Sequence, residues 1–168
     1  MEVLTRLLAL SPWEKLADLH GLLSMAALIL LGAGIALFFT TRKADAMIDW
    51  LKRVLLYLFV DLALLDLAGL TVYMQYRAEG GPRSLLLASE STAWLHQVVF
   101  EHKEFLAFAP PLIILAAYLV TRALGKRFND EDVKPLRQSV GFALGATLVL
   151  VLLVAAEAVL VTKVAPVK

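Results

Sequence analysis

Three histidines, His20, His96 and His102, are the side chains of this chain best suited to binding a metal ion. Imidazole nitrogen is a ligand for iron, copper and zinc, and it also exchanges protons near neutral pH. The chain contains no cysteine, which excludes disulfide bonds, thiolate metal sites and cysteine-bound iron–sulfur clusters. Any metal chemistry must therefore depend on imidazole and carboxylate groups.

Three carboxylates, Asp61, Asp66 and Glu157, interrupt otherwise apolar stretches. An acid at the centre of a bilayer costs about 2.5–3.5 kcal/mol on insertion scales, so each of the three is a functional candidate. Asp66 and Glu157 fall in the halves of their segments nearer the histidines, which predicts a role around a bound cofactor. Hydrogen bonding between helices, or contact with a partner subunit, is the alternative. Tyr57 lies four residues before Asp61 on the same helix face and is a candidate partner for that acid.

The chain that positions these residues is apolar enough for a membrane. Of its 168 residues, 60% are hydrophobic and 18% are charged, and the mean hydropathy is +0.77. Four segments reach the roughly 20 apolar residues that a spanning helix needs. They lie at about 19–39, 54–76, 95–124 and 140–161. Their length and lack of alternation exclude barrel strands, so we predict one transmembrane domain over residues 1–168, an all-α, up-down-up-down four-helix bundle.

Basic residues predict the orientation of this bundle in the membrane. We define side X as the face that carries both termini and the connection between the second and third segments, and side Y as the opposite face. The nine basic residues of side Y lie close to the segment ends: Arg42, Lys43, Lys52, Arg53, Arg122, Lys126, Arg127, Lys134 and Arg137. The seven of side X are Arg6, Lys15, Arg77, Arg83, Lys103, Lys163 and Lys168. The positive-inside rule then places side Y in the cytoplasm and both termini outside a cell membrane.

Two further features of the sequence limit the functions that this chain can have. Residues 1–18 lack a basic start before their short apolar run, so we expect them to belong to the mature protein rather than to a cleaved signal. The formal net charge of +1 predicts that nucleic acid is not a partner of this chain. Its four long apolar segments predict a lipid bilayer as the partner.

All three histidines are predicted to lie towards side X. His20 opens the first apolar run, and His102 precedes the third run by three residues, roughly 4.5 Å at helical rise. These two imidazoles are therefore nearly level, on helices that are diagonal in an antiparallel four-helix bundle. His96 lies roughly 9 Å further out at the same rise, in the headgroup or water zone, where we interpret it as an interfacial anchor.

The stretches "DLHGLLSMAALILLGAGIALFF" and "LHQVVFEHKEFLAFAPPLIILAAYLVTRAL" resemble the histidine-bearing helices of small four-helix membrane cytochromes of the b type. These cytochromes have a histidine near the start of one helix and another at the same depth on a later helix. Cytochromes of the b561 kind carry four ligand histidines and two haems, whereas this chain has three histidines on one face. The resemblance implies a single haem b between His20 and His102, with His96 as the alternative ligand.

A haem at this place predicts roles for the charged residues around it. Basic groups favour charge-assisted contacts with haem propionates, and the candidates are Arg77, Lys103, Arg83 and Lys163. Carboxylates near the ligands are predicted to orient or tune them, and the candidates are Asp66, Glu157 and Glu101. For Glu101 and Glu104 the alternative is a solvated helix face shared with Lys103.

Four functions are consistent with these residues. The first is a haem b electron-transfer subunit of a respiratory complex, which exchanges electrons with another membrane subunit, an external redox protein or quinone and is not an enzyme alone. The alternative is a cofactor-free accessory subunit of a larger membrane complex, with residues 95–105 as its docking surface. A non-haem copper, iron or zinc site is the third. A proton or solute carrier that uses Asp61, Asp66 and Glu157 is the fourth.

Overall fold

The computed structural model describes residues 9–41 and 44–165, and helices account for most of them. Four helices are long and apolar enough to span a membrane: α1 (Pro12–Thr40), α2 (Ala46–Tyr76), α4 (Glu90–Asn129) and α5 (Lys134–Val164). A short helix α3 (Pro82–Leu87) lies in the second connection. The predicted all-α four-helix bundle is thus confirmed, and the chain is a multi-pass membrane protein. Four basic residues of the orientation argument lie outside the described residues: Arg6, Arg42, Lys43 and Lys168.

Each spanning helix packs against two of the others. Helix α1 contacts α2 and α5, and α4 contacts the same two helices, so α1 and α4 lie diagonally across the bundle as predicted. Since lipid is as apolar as leucine, close van der Waals packing holds such helices together. Gly141 shows how close this packing is, because a Cβ atom there would lie 2.7 Å from Cζ of Phe38.

Helix α1 begins well before the apolar segment that predicted it. Ser11 and Glu14 form a capping box, in which Ser11 Oγ accepts a hydrogen bond from the Glu14 amide at 3.2 Å. The Glu14 carboxylate in turn accepts from the Ser11 amide at 2.8 Å. Pro12 occupies the first turn, where its missing N–H costs nothing. The helix therefore starts at Pro12 rather than at residue 19.

The second connection contains a tight turn at Gly80 and Gly81 and, in addition, helix α3. Gly80 has a φ of +71°, a conformation that glycine adopts without strain. A Cβ atom at Gly81 would lie 2.7 Å from the carbonyl oxygen of Gln75, so this turn admits no side chain at that position. Pro82 then starts α3, a helix that was not predicted from the sequence.

The third connection consists of 3-10 turns that close the side-Y end. Gly125 starts the first turn with a φ of +51°. The Asn129 side-chain amide donates to the carbonyl oxygen of Thr41 at 2.8 Å and to the Asp45 carboxylate at 3.1 Å. Arg137 donates to the Asn129 carbonyl oxygen at 3.1 Å. The third connection is thus tied to the first connection at this end of the bundle.

Helix α4 is the irregular element of the bundle. A π-helical turn occupies Leu95–Phe100, between α-helical Glu90–Trp94 and Glu101–Ala107. The α-helix then breaks at Phe108, just before Pro110 and Pro111, as expected because two prolines remove backbone donors. Four of the six π-helical residues are buried: Leu95, His96, Val99 and Phe100. The π turn therefore presents a wider buried face than an α-helical turn would.

Candidate functional site

The imidazole of His20 lies between α1 and α2. Its Nδ1 is 3.2 Å from the carbonyl oxygen of Leu65. A carbonyl oxygen only accepts, so Nδ1 carries the proton and Nε2 keeps its lone pair. Gly69 leaves room for the ring, since a Cβ atom there would lie 3.2 Å from Cε1 of His20. The side chain is therefore held in one orientation with one nitrogen available as a ligand.

The imidazole of His102 is held by α5. Its Nδ1 lies 2.6 Å from Oε1 of Glu157 and donates to it, and in the neutral ring Nε2 then keeps its lone pair. The other carboxylate oxygen, Glu157 Oε2, is buried and has no hydrogen-bond partner among the described residues. A carboxylate or carbonyl on the second nitrogen is the usual support of a metal-bound histidine. His20 and His102 both have that support.

The inward position on α4 belongs to Lys103 and not to His102. Neighbouring residues on a helix point about 100° apart, so one helix cannot direct both side chains to the interior. The His102 side chain is 52% exposed, on the flank that faces α5. The Lys103 ammonium instead interacts electrostatically with His20, Asp66 and Glu157. The interpretation of Lys103 as part of a solvated face is therefore wrong, because the phase of α4 turns it inward.

Three of the polar residues considered for the site lie at its outer edge: Arg77, Glu101 and Glu104. Arg77 is exposed and donates to the Tyr73 hydroxyl at 2.8 Å, with its guanidinium 5.3 Å from the centre of that ring. Tyr73 also interacts with Glu104, which is half-buried. Glu101 is exposed and interacts with His96. Asp66 is the predicted carboxylate on α2 that approaches Lys103.

His96 is buried within the protein, with 6% of its surface exposed, whereas an interfacial anchor would expose its polar tip. The Tyr76 hydroxyl lies 2.9 Å from Nδ1, and Arg83 Nε donates to Nε2 at 3.1 Å. Because a guanidinium only donates, Nε2 must accept, and in the neutral ring Nδ1–H donates to the Tyr76 oxygen. Helix α3, which carries Arg83 over the ring, is the reason for this burial.

A stack of aromatic rings surrounds His96. Tyr76 and Phe100 lie parallel at 3.9 Å between ring centres, and Tyr73 stacks on Phe100 at 5.9 Å. The sequence held a signal for this cluster, since Tyr73 and Tyr76 are three residues apart on α2 and share a face. Both ring nitrogens of His96 are committed to these neighbours. As the alternative ligand, it would have to give up one of those bonds.

The third intramembrane acid, Asp61, lies deeper in the bundle. It is 9% exposed, and its Oδ2 has no hydrogen-bond partner in the described part of the chain. The predicted partner Tyr57 is 60% exposed. That pairing is therefore wrong, and sharing a helix face was too weak a criterion because the tyrosine turns outward.

Metal ligation by three or more side chains has no support here: within residues 9–41 and 44–165, no group of three or more His, Cys, Asp or Glu side chains is arranged to hold a metal ion. A haem needs only two nitrogen ligands from the protein, so this finding does not bear on haem binding.

The fold and the apolar helices define an all-α, multi-pass membrane protein. No family model, curated protein or solved structure matches this chain. Its function must therefore be inferred from the polar cluster at side X.

Proposed function

We propose that this protein is a membrane electron-transfer subunit that carries one haem b at the side-X end of the bundle. The observation that carries the proposal is the hydrogen bonding of the two histidines. His20 and His102 each use Nδ1 on an oxygen that only accepts, and each keeps Nε2 free. Bound haem would supply a one-electron iron centre.

The chemistry of the surrounding residues supports this assignment. The Leu65 carbonyl and the Glu157 carboxylate are the kind of partners that fix a ligand histidine and raise its basicity. Lys103 and Arg77 supply positive charge at the same end of the bundle, where haem propionates need it. In this role the chain passes electrons to quinone, to another membrane subunit or to an external redox protein, as one subunit of a respiratory complex.

A second candidate, a cofactor-free accessory subunit, is favoured by one observation. Lys103, not His102, turns towards the interior on α4, where its ammonium interacts with Asp66 and Glu157. In that case the exposed parts of residues 95–105 dock a partner subunit on side X.

An absorption spectrum of the protein, purified from its native membrane, separates the two candidates. A haem b subunit gives a reduced-minus-oxidised b-type spectrum with one haem per chain. An accessory subunit gives an intact chain with no bound haem, and that outcome would overturn the first proposal.

We also propose that the protein lies in the cell membrane with both termini outside. Because the chain has no cysteine, single cysteines can be labelled without background. In intact cells, we expect a membrane-impermeant thiol reagent to label Glu79→Cys, in the second connection, and to leave Asp130→Cys, in the third connection, unlabelled. Both positions are exposed, whereas the neighbouring Asn129 is tied to Thr41. The reverse labelling pattern would place side X in the cytoplasm.

A further inference from the structure

We propose that the side-Y end of the bundle binds one anionic phospholipid, with the lipid phosphate against the Arg137 guanidinium and one acyl chain in a groove between α1 and α5. Two features of the structure support this site: a buried cation that lacks an anion, and an open apolar groove one helical turn away from it. The site lies at the opposite end of the bundle from the three histidines, so it does not depend on the proposed haem.

Arg137 is a buried cation without a counter-ion among the described residues. It is 6% exposed, and its Nη1 donates to the carbonyl oxygen of Asn129 at 3.1 Å. The ion pairs within 4 Å in the described ranges do not include Arg137. The Asp45 carboxylate accepts a hydrogen bond from the Asn129 side chain instead. A buried charge without a partner is costly, so an anion that reaches this guanidinium would stabilise it.

The guanidinium of Arg137 has donors left for such an anion. Its Nε is buried without a hydrogen-bond partner in residues 9–41 and 44–165. Its Nη2 makes no hydrogen bond to these residues either but, unlike Nε, it is accessible to solvent. Arg137 also lies in the first turn of α5, where no side chain caps the backbone amides and where the helix dipole favours negative charge. Phosphate oxygens accept strongly from a guanidinium, so the chemistry here is that of a phosphate site.

An open groove runs along the membrane-facing surface between α1 and α5. It has a volume of about 330 Å³ and is lined on α1 by Ile35, Phe38 and Phe39. On α5, Gln138 is the polar lining residue at the side-Y end, and the rest of the lining is apolar. A Cβ atom at Gly145 would meet no other atom within 4 Å, so the groove is open at that residue. A mainly apolar groove with one polar end has the character of a site for an acyl chain.

The guanidinium and the groove adjoin each other. Arg137 and Gly141 are four residues apart and share a face of α5, separated by roughly 5.4 Å along the helix. Gly141 lines the groove and packs against Phe38, so this face of α5 is directed towards α1. Above it, the Asn129 side chain donates at 2.8 Å to the carbonyl oxygen of Thr41, the C-cap residue of α1. Arg137 therefore lies where the groove reaches the headgroup level, and one lipid can place its phosphate and its chain together.

A second copy of this chain is a less suitable occupant of the groove. No acidic residue lines the groove in the part of the chain that the structure describes. A copy packed there through the same surface would bring no anion to Arg137. An anionic lipid fills the groove and supplies the missing charge.

Native mass spectrometry of the full chain tests the headgroup contact, by titration with phosphatidylglycerol and with diacylglycerol of the same acyl chains. We expect wild-type protein to bind phosphatidylglycerol at least about tenfold more tightly, the low end for a hydrogen bond to a charged group. In Arg137→Gln this preference should disappear. The matched control is Arg122→Gln, which removes an exposed cation from the same side and should keep the preference.

Gly145→Leu tests the acyl-chain contact without changing any charge. Because the space beside Gly145 is open, the leucine side chain fits the fold and blocks the groove. Both lipids should then bind more weakly, and by the same factor. Inorganic phosphate alone should not displace phosphatidylglycerol from the wild-type protein, since it has no chain to occupy the groove.

Four results would overturn the lipid site. Equal binding of the two lipids to wild-type protein would remove the phosphate contact, and equal effects of Arg137→Gln and Arg122→Gln would remove Arg137 from it. Displacement by inorganic phosphate would assign the site to a free anion. Dimers that form in place of lipid adducts and are lost in Gly145→Leu would assign the groove to a second copy. Circular dichroism checks the fold of each variant, and the comparison of lipids on wild-type protein needs no variant. None of these measurements uses haem, so they fail or succeed independently of the proposed function.

Discussion

His20→Ala and His102→Ala are each expected to abolish the haem b spectrum of the purified protein. If the proposed haem is bound, each change removes one of the two histidines that would hold its iron, and no other free imidazole nitrogen is available among the described residues, since both nitrogens of His96 are engaged. The measurement is the reduced-minus-oxidised spectrum, with the haem-to-chain ratio determined on the same sample. Gly69→Ala is a milder test, because its Cβ would crowd the His20 ring at 3.2 Å.

Glu157→Gln is a third variant, which tests the hydrogen-bond partner of His102. It keeps an oxygen that accepts from His102 Nδ1, but it removes the charge that makes the imidazole a stronger electron donor. Haem should therefore stay bound while its reduction potential rises, since a weaker donor stabilises the ferric state less. Haem that is retained in His102→Ala and lost in His96→Ala would instead identify His96 as the ligand.

His96→Ala is expected to leave haem bound and to lower the free energy of unfolding by about 2–3 kcal/mol, the cost of leaving buried polar groups without partners. The Tyr76 hydroxyl loses its donor, and Arg83 Nε loses its acceptor. The stacked rings of Tyr76 and Phe100 also lose a neighbour. Denaturant unfolding in detergent, followed by circular dichroism, measures the change.

Gln97→Ala is the matched control for His96→Ala. Gln97 is the next residue of the same π turn and is exposed, so its truncation should change the free energy of unfolding by less than about 0.5 kcal/mol. A double-mutant cycle of His96→Ala with Tyr76→Phe isolates the contribution of their bond. Equal stability of the His96 and Gln97 variants would show that the buried network does not hold this end of the bundle together.

The spanning helices could be predicted from the sequence because the membrane imposes a long apolar run on each of them. The predicted helix ends were less accurate than the predicted spans, since a helix end depends on local capping residues that lie outside the apolar run. The start of α1 was readable in principle, because Ser11, Pro12 and Glu14 form the S-x-x-E pattern of a capping box with proline in the first turn. That signal lies outside the apolar run and therefore does not appear in the hydropathy profile.

The end of the bundle at which the histidines lie was predictable from the sequence, and the direction in which their side chains face was not. Depth along each helix follows from residue count, and the contacts of His20 with Leu65 and of His102 with Glu157 place the histidines at the same end of the bundle. The direction in which a side chain points around the helix axis cannot be predicted in the same way, because one π turn rotates the residues on one side of it relative to those on the other. The inward facing of Lys103 therefore could not be read from residue counts, and the burial of His96 under Arg83 could not be foreseen without α3.

The π turn in α4 also makes this part of the chain sensitive to the deletion of a single residue. A π turn closes each hydrogen bond over one residue more than an α turn, so Leu95–Phe100 contains one residue that an unbroken α-helix would not need. Deleting an exposed residue of the turn, such as Val98, removes little buried surface. Yet it would rotate the preceding segment by about 100° against the rest of α4 and separate His96 from Tyr76. In the divergence of this protein, a one-residue deletion here would be far more damaging than most substitutions at the same position.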